Sequence, residues 1–168
     1  MKKELYLIIS HEIDTESASN ALIGVYCTLD VAIAQMRDVI YHKFEDIKEW
    51  WEDTDEGKNS SEEEFQEWIN DNYFDDQHTL WSYTNDDPVE HTFKIHHVEV
   101  DSDESMLYAL ICTRVDGVNN TTDVLGIYDH INNAGDALME FEINVDRNSY
   151  YDVVTSVEEF TISKNVIL

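Results

Sequence analysis

Carboxylates dominate the chemistry this chain can offer. It holds 37 Asp and Glu against 10 Lys and Arg, a net charge of −27. Residues 45–90 carry 17 of those acids and only two bases, Lys48 and Lys58. Glu45, Asp46, Glu49, Glu52, Asp53, Asp55, Glu56, Glu62, Glu63, Glu64, Glu67, Asp71, Asp75 and Asp76 are the candidate binding groups. Duplex DNA presents about one negative charge per 1.7 Å of axis. Carboxylates on successive helical turns, about 5.4 Å apart, imitate part of that field. A surface of this sign repels nucleic acid and anionic membrane and attracts basic protein surfaces. Trp50, Trp51, Trp68, Tyr73 and Phe74 are interleaved with the acids. Aromatic side chains of this kind anchor protein interfaces, and Trp68 joins the candidate binding residues.

A second spacing lies within this segment. Asp53, Asp55, Gly57, Asn59, Ser61 and Glu64 occupy positions one, three, five, seven, nine and twelve of a twelve-residue run. The pattern resembles an EF-hand calcium loop, but Lys58 stands where the sharp turn needs glycine. Position five has no side-chain oxygen, and Ser60 takes the apolar eighth position. The competing reading is an acidic loop followed by a helix capped by Ser61 and Glu64. His91, His96 and His97 share one predicted strand, with His91 and His97 on one face and His96 on the other. A zinc site needs more ligands than that face supplies. The sequence has no glycine-rich phosphate loop, nucleophile elbow or HExxH motif. Its acids are too numerous for one pair to stand out as general acid and base. The expectation is a non-enzymatic protein with no cofactor and no metal.

The elements that position these groups are legible through an internal repeat. With a shift of 102 residues, Leu5-Tyr6 falls on Leu107-Tyr108, Ile9 on Ile111 and Asp14 on Asp116. Gly24 falls on Gly126, Tyr26 on Tyr128 and Ala32 on Ala134. The apolar pattern between them also matches, which points to duplication. Each copy reads as a hairpin, a helix and a closing strand. The first copy has strands at 5–10 and 21–27, and Thr28 as an N-cap. Leu29, Ile33, Met36, Ile40, Phe44, Ile47 and Trp51 then form one continuous helical face. Its closing strand is 91–100. The second copy has strands at 106–114 and 124–129, a shorter helix capped by Asn132 or Asn133, and a closing strand at 157–167. The fold class is α+β: two β-β-α-β repeats, with antiparallel sheets packed on helices and an acidic helical insertion in the first. Residues 1–101 form the first repeat, with the insertion at about 45–90; residues 102–168 form the second.

The segments Leu22–Tyr26 followed by Ala32, and Val124–Tyr128 followed by Ala134, resemble small α/β modules of uncharacterised bacterial and phage proteins. That likeness implies a fold and carries no catalytic residue. In charge, size and aromatic content the chain is similar to phage-encoded DNA mimics that block restriction or CRISPR enzymes. The resulting expectation is an acidic inhibitor of a basic nucleic-acid-handling protein, such as a Cas effector, restriction enzyme or nuclease toxin. An immunity or antitoxin-like protein that neutralises a basic toxin is the alternative, and a calcium- or metal-dependent protein the third. No direct nucleic-acid or membrane partner is expected. Cys27 and Cys112 lie in apolar stretches and read as reduced core residues, and the chain begins without a signal-like apolar run, which favours the cytoplasm.

Overall fold

The computed structural model describes residues 2–43, 45–84 and 89–162 and, for Glu45 and Asp46, the backbone alone. Strands β1 (Lys2–Ile13) and β2 (Ala18–Tyr26) form a hairpin, followed by α1 (Leu29–Lys43). Helices α2 (Glu45–Asp53) and α3 (Glu62–Tyr73) and strand β3 (Leu80–Thr84) precede β4 (Glu90–Asp101). A second hairpin, β5 (Met106–Val115) and β6 (Thr121–Tyr128), leads to α4 (Ile131–Asn144) and β7 (Asp152–Thr161). One antiparallel sheet has the order β2-β1-β4-β3 and the other β6-β5-β7. The fold is α+β.

Strict alternation along β1 and β5 sets the layers, because successive side chains point to opposite faces of a strand. Leu5, Leu7 and Ile9 of β1 meet Leu107, Ala109 and Ile111 of β5, joined by Val100 and Phe160. This apolar layer lies between the two sheets. Ile8 points the other way, into a core with Ala32, Met36 and Ile40 of α1 and with Ile47, Trp51, Phe65 and Ile69 of α2 and α3. Helix α4 packs on the outer face of the second sheet. The order of layers is helices, sheet, sheet, helix. Each element thereby buries one apolar side.

The 102-residue shift aligns β1 with β5 and β2 with β6, and these hairpins hold equivalent places; on their other side β1 pairs with β4 and β5 with β7, strands outside the aligned stretch. Tyr6 pairs with Tyr26, and Tyr108 with Tyr128. A register shift falls between Ile8 and Ile9 in one hairpin and between Leu110 and Ile111 in the other. Opposite each shift the outer strand carries one extra residue, the arrangement of a bulge. Gly24 and Gly126 sit beside these bulges. A Cβ on Gly24 would lie 2.4 Å from the Tyr26 hydroxyl, and one on Gly126 2.5 Å from that of Tyr128.

The helical face from Leu29 to Trp51 is described as α1 and α2 on either side of Phe44, which lies outside the described residues. Three expectations are corrected. Cys27, read as a core residue, is exposed, whereas Cys112 is buried. The fourth helix starts at Ile131 with His130 as its N-cap and no side-chain cap bond, so neither Asn132 nor Asn133 caps it. The last strand begins at Asp152, five residues before the expected start, because β5 is long enough to pair from Val115↔Asp152 to Met106↔Thr161. Residues 163–167 of the expected strand lie outside the described residues. At the start of α1, Thr28 Oγ1 accepts a hydrogen bond from the Val31 N–H at 3.4 Å.

Candidate functional site

The acidic segment is built on an aromatic underside. Ile47 and Trp51 of α2, Phe65 and Ile69 of α3 and Trp81 of β3 are all buried. The Trp51 indole N–H donates to Ser60 Oγ at 3.0 Å. Thr54 Oγ1 donates to the Trp51 carbonyl at 2.7 Å and accepts from the Gly57 N–H at 3.0 Å. The loop is therefore folded back on Trp51. A Cβ on Gly57 would stand 1.8 Å from the Trp51 carbonyl oxygen, so only glycine fits there. Ser61 then caps α3: its Oγ accepts from the Glu64 N–H at 3.2 Å, and the Glu64 carboxylate accepts from the Ser61 N–H at 2.6 Å. This satisfies two of the amide donors that a helix start leaves open. The carboxylate at the twelfth position of the calcium-like spacing is thus committed to the cap. Among the described residues no three His, Cys, Asp or Glu side chains converge as a metal site.

The remaining carboxylates face outward. Glu49, Glu52, Asp53, Asp55, Glu56, Glu62, Glu63, Glu64, Glu67, Asp71 and Asp76 are exposed. Glu62 pairs with Lys48, with 2.5 Å between Oε2 and Nζ. Asp75 is half-buried and structural: its Oδ1 accepts from the N–H groups of Thr79 and Leu80 at 2.7 and 2.9 Å. Glu63, Glu67 and Asp71 follow one another at four-residue steps along α3, a rise of about 6 Å each. Glu45 and Asp46 belong to α2 by their backbone.

The aromatic residues divide by depth. Trp51 is only 7% exposed and stacks on Trp68, with centroids 4.6 Å apart. Tyr73 meets Trp68 edge-on, and Phe74 lies beneath the Arg37 guanidinium. Trp50 is 59% exposed and leans on the half-buried Trp68 at 5.7 Å. Trp50 is thus the exposed member of the set, Trp68, Tyr73 and Phe74 are half-buried, and Trp51 holds the core.

A second cluster joins residues far apart in the sequence. At one end of the inter-sheet layer, His11 Nδ1 lies 2.7 Å from Thr122 Oγ1 and His11 Nε2 lies 2.9 Å from Glu90 Oε1. Thr122 Oγ1 also meets Thr113 Oγ1 at 2.8 Å. Asn20 donates to Thr113 Oγ1 at 3.0 Å and to the Val154 carbonyl at 3.2 Å, and its Oδ1 accepts from Ser156 at 2.6 Å. Asn120 donates to Glu90 Oε2 at 2.9 Å. A hydroxyl, an imidazole and a carboxylate in line have the connectivity of a nucleophilic triad. Thr122, however, is 6% exposed and Thr113 fully buried, so no substrate reaches that hydroxyl. The network ties the two sheets together, satisfying polar groups that would otherwise be costly to bury. The available signal was His11 itself, a polar residue in phase with Leu5, Leu7, Ile9 and Ile13 on a core-facing strand side.

The three histidines of β4 separate as their spacing requires. His91 stacks on Tyr83 and lies 3.4 Å from Glu12, and His97 stacks on Tyr6 at 5.0 Å. His96 points to the other side, and its buried Nε2 has no hydrogen-bond partner among the described residues. Burial, with the Lys94 charge adding to it, pushes its pKa down to about 4. Glu12, which also faces Lys43 at 2.7 Å, has its carboxyl held below the usual range chiefly by that ammonium. A cleft of about 460 Å³ opens between β4 and β6, lined by Val98, Val100, Val124 and Tyr128 with Glu99 and Asp129 at its rim. No helix among the described residues is long and apolar enough to cross a membrane. No family model matches the chain, and neither a curated protein nor a solved structure matches it.

Proposed function

We propose that the protein is a non-enzymatic inhibitor that binds a basic nucleic-acid-handling protein through the α2–α3 lobe and blocks its nucleic-acid groove. One observation carries this reading. Nine carboxylates of the lobe (Glu49, Glu52, Asp53, Asp55, Glu56, Glu63, Glu67, Asp71 and Asp76) are exposed and have no hydrogen bond or ion pair among the described residues. Their helices are fixed from below by Trp51, Phe65 and Ile69. Concentrated charge of one sign repels itself and lowers stability. A rigid mount keeps that charge in a fixed array, the form in which it competes with phosphates for Lys and Arg. Trp50, leaning on Trp68, supplies the apolar contact such an interface requires. The most concrete version is a phage anti-CRISPR or anti-restriction factor acting in the cytoplasm. An immunity protein against a basic nuclease toxin would use the same surface.

The test uses charge reversals that spare the fold. Glu62 and Glu64 are unsuitable, since one pairs with Lys48 and the other caps α3. Replacing Glu49, Glu52, Glu67 and Asp71 together by Lys should abolish binding to the captured partner and leave the circular dichroism spectrum unchanged. Binding by the native protein should compete with DNA or RNA. It should also weaken as salt rises, because exposed charges are screened beyond about 10 Å at 0.1 M. A stable ternary complex of partner, nucleic acid and this protein, with normal binding by the fourfold variant, would sink the proposal.

A further inference from the structure

The two outer helices of the aligned units differ in what covers them. On α1, Ile33 and Tyr41 pack against the core cluster that α2 and α3 complete. The Tyr41 hydroxyl donates to Asn70 of α3 at 2.7 Å, and the Arg37 guanidinium lies over Phe74. The same shift of 102 places Gly135, Met139 and Ile143 at these positions of α4, with Ile131 one turn earlier. Ile131 is 60%, Met139 65% and Ile143 79% exposed. A Cβ on Gly135 would touch nothing within 4 Å. These four residues recur at four-residue steps and form one stripe along the helix. The sheet-facing side of α4, with buried Ala134, is separate from it. The stripe is therefore an apolar face in addition to the one that folds the protein, where a surface helix ordinarily has one.

We infer that the Ile131–Gly135–Met139–Ile143 stripe of α4 is a docking face for a basic amphipathic helix of a partner protein. The occupant's shape follows from the first unit, where the equivalent face of α1 meets the amphipathic helix α3 through Tyr41 and Asn70. Gly135 leaves room at the centre of the stripe for a helix to approach closely. The occupant's charge follows from the surroundings. Asp136 and Glu140 border the stripe, and α4 contains no Lys or Arg. A second copy would bring these carboxylates face to face on two chains of charge −27. A helix with lysines flanking an apolar stripe meets complementary charge instead. This surface is independent of the acidic lobe, and either can fail without the other.

The test is titration of the ¹⁵N-labelled full chain with an amidated 18-residue Leu/Lys peptide whose leucines form one helical stripe, at 0.15 M salt. The expected result is amide perturbation centred on Ile131, Gly135, Met139 and Ile143. Affinity should fall at least tenfold in Met139→Gln/Ile143→Gln, a pair exposed enough to leave the melting temperature unchanged. A scrambled peptide of the same composition should give no perturbation on α4, and the fourfold Lys variant of the lobe should bind the helical peptide through α4 as before. Perturbation confined to α2 and α3, or equal affinity of the Gln pair, would overturn the inference. So would a dimer in sedimentation velocity that the Gln pair dissolves, because the occupant would then be a second copy.

Discussion

His11 and Glu90, on neighbouring strands of one sheet, both reach across to β6 or the turn before it in the other. The imidazole takes Thr122 and the carboxylate takes Asn120, while 2.9 Å separates Nε2 from Oε1. Removing His11 leaves buried partners on both sides. His11→Ala should cost about 2–4 kcal/mol, the sum of an unsatisfied hydroxyl and a cavity. Urea unfolding with an unchanged m-value checks this. A loss below about 0.5 kcal/mol would mean that water replaces the imidazole at no cost.

Glycine beside each bulge is set by the tyrosine that folds over it. Gly24→Ala and Gly126→Ala should each lose about 1–2 kcal/mol, since the phenol must move for the new methyl. In a double-mutant cycle with Tyr26→Ala or Tyr128→Ala, that loss should largely vanish. Additive losses would show that backbone freedom, and not the ring, makes glycine necessary.

His96 makes stability depend on pH in a stated direction. Its folded pKa of about 4 lies below the ordinary 6.5. The unfolded chain therefore binds this proton more readily, and stability falls as pH drops through that window. From pH 7 to pH 5 the loss due to this residue should be about 2 kcal/mol. The acids change charge in the same experiment, so the quantity to measure is the difference from His96→Phe, whose curve should lack this component. Parallel curves would show that His96 is hydrated in the folded state.

The cap at Ser61 should be separable from the charge of the lobe. Ser61→Ala should cost about 1 kcal/mol and raise amide exchange in the first turn of α3. Ser61→Asp retains an acceptor and should restore protection. If exchange in that turn is the same in all three proteins, packing of Phe65 and Ile69 alone holds the helix start.

What the sequence by itself determined is whatever is written in periodicity and local chemistry. Apolar, β-prone runs bounded by polar turn segments placed β1, β2, β4, β5 and β6. The Ser61–Glu64 pair marked the start of α3, and the 102-residue shift aligned the two hairpins and the helix after each. The surplus of acid in residues 45–90 is equally a property of the chain. Only the tertiary structure decided what depends on residues far apart. Asn20 meets Ser156, His11 meets Thr122 and Glu90 meets Asn120 across sequence gaps that no local pattern spans. Packing also sorted the tryptophans, burying Trp51 and leaving Trp50 exposed, although they are adjacent in sequence. It likewise set the start of β7, because strand length follows from the partner it pairs with. The bare stripe on α4 is of the same kind. Ile131, Met139 and Ile143 are apolar and helically spaced, which is how core residues look. Only the placement of the sheet against the other side of the helix leaves them exposed.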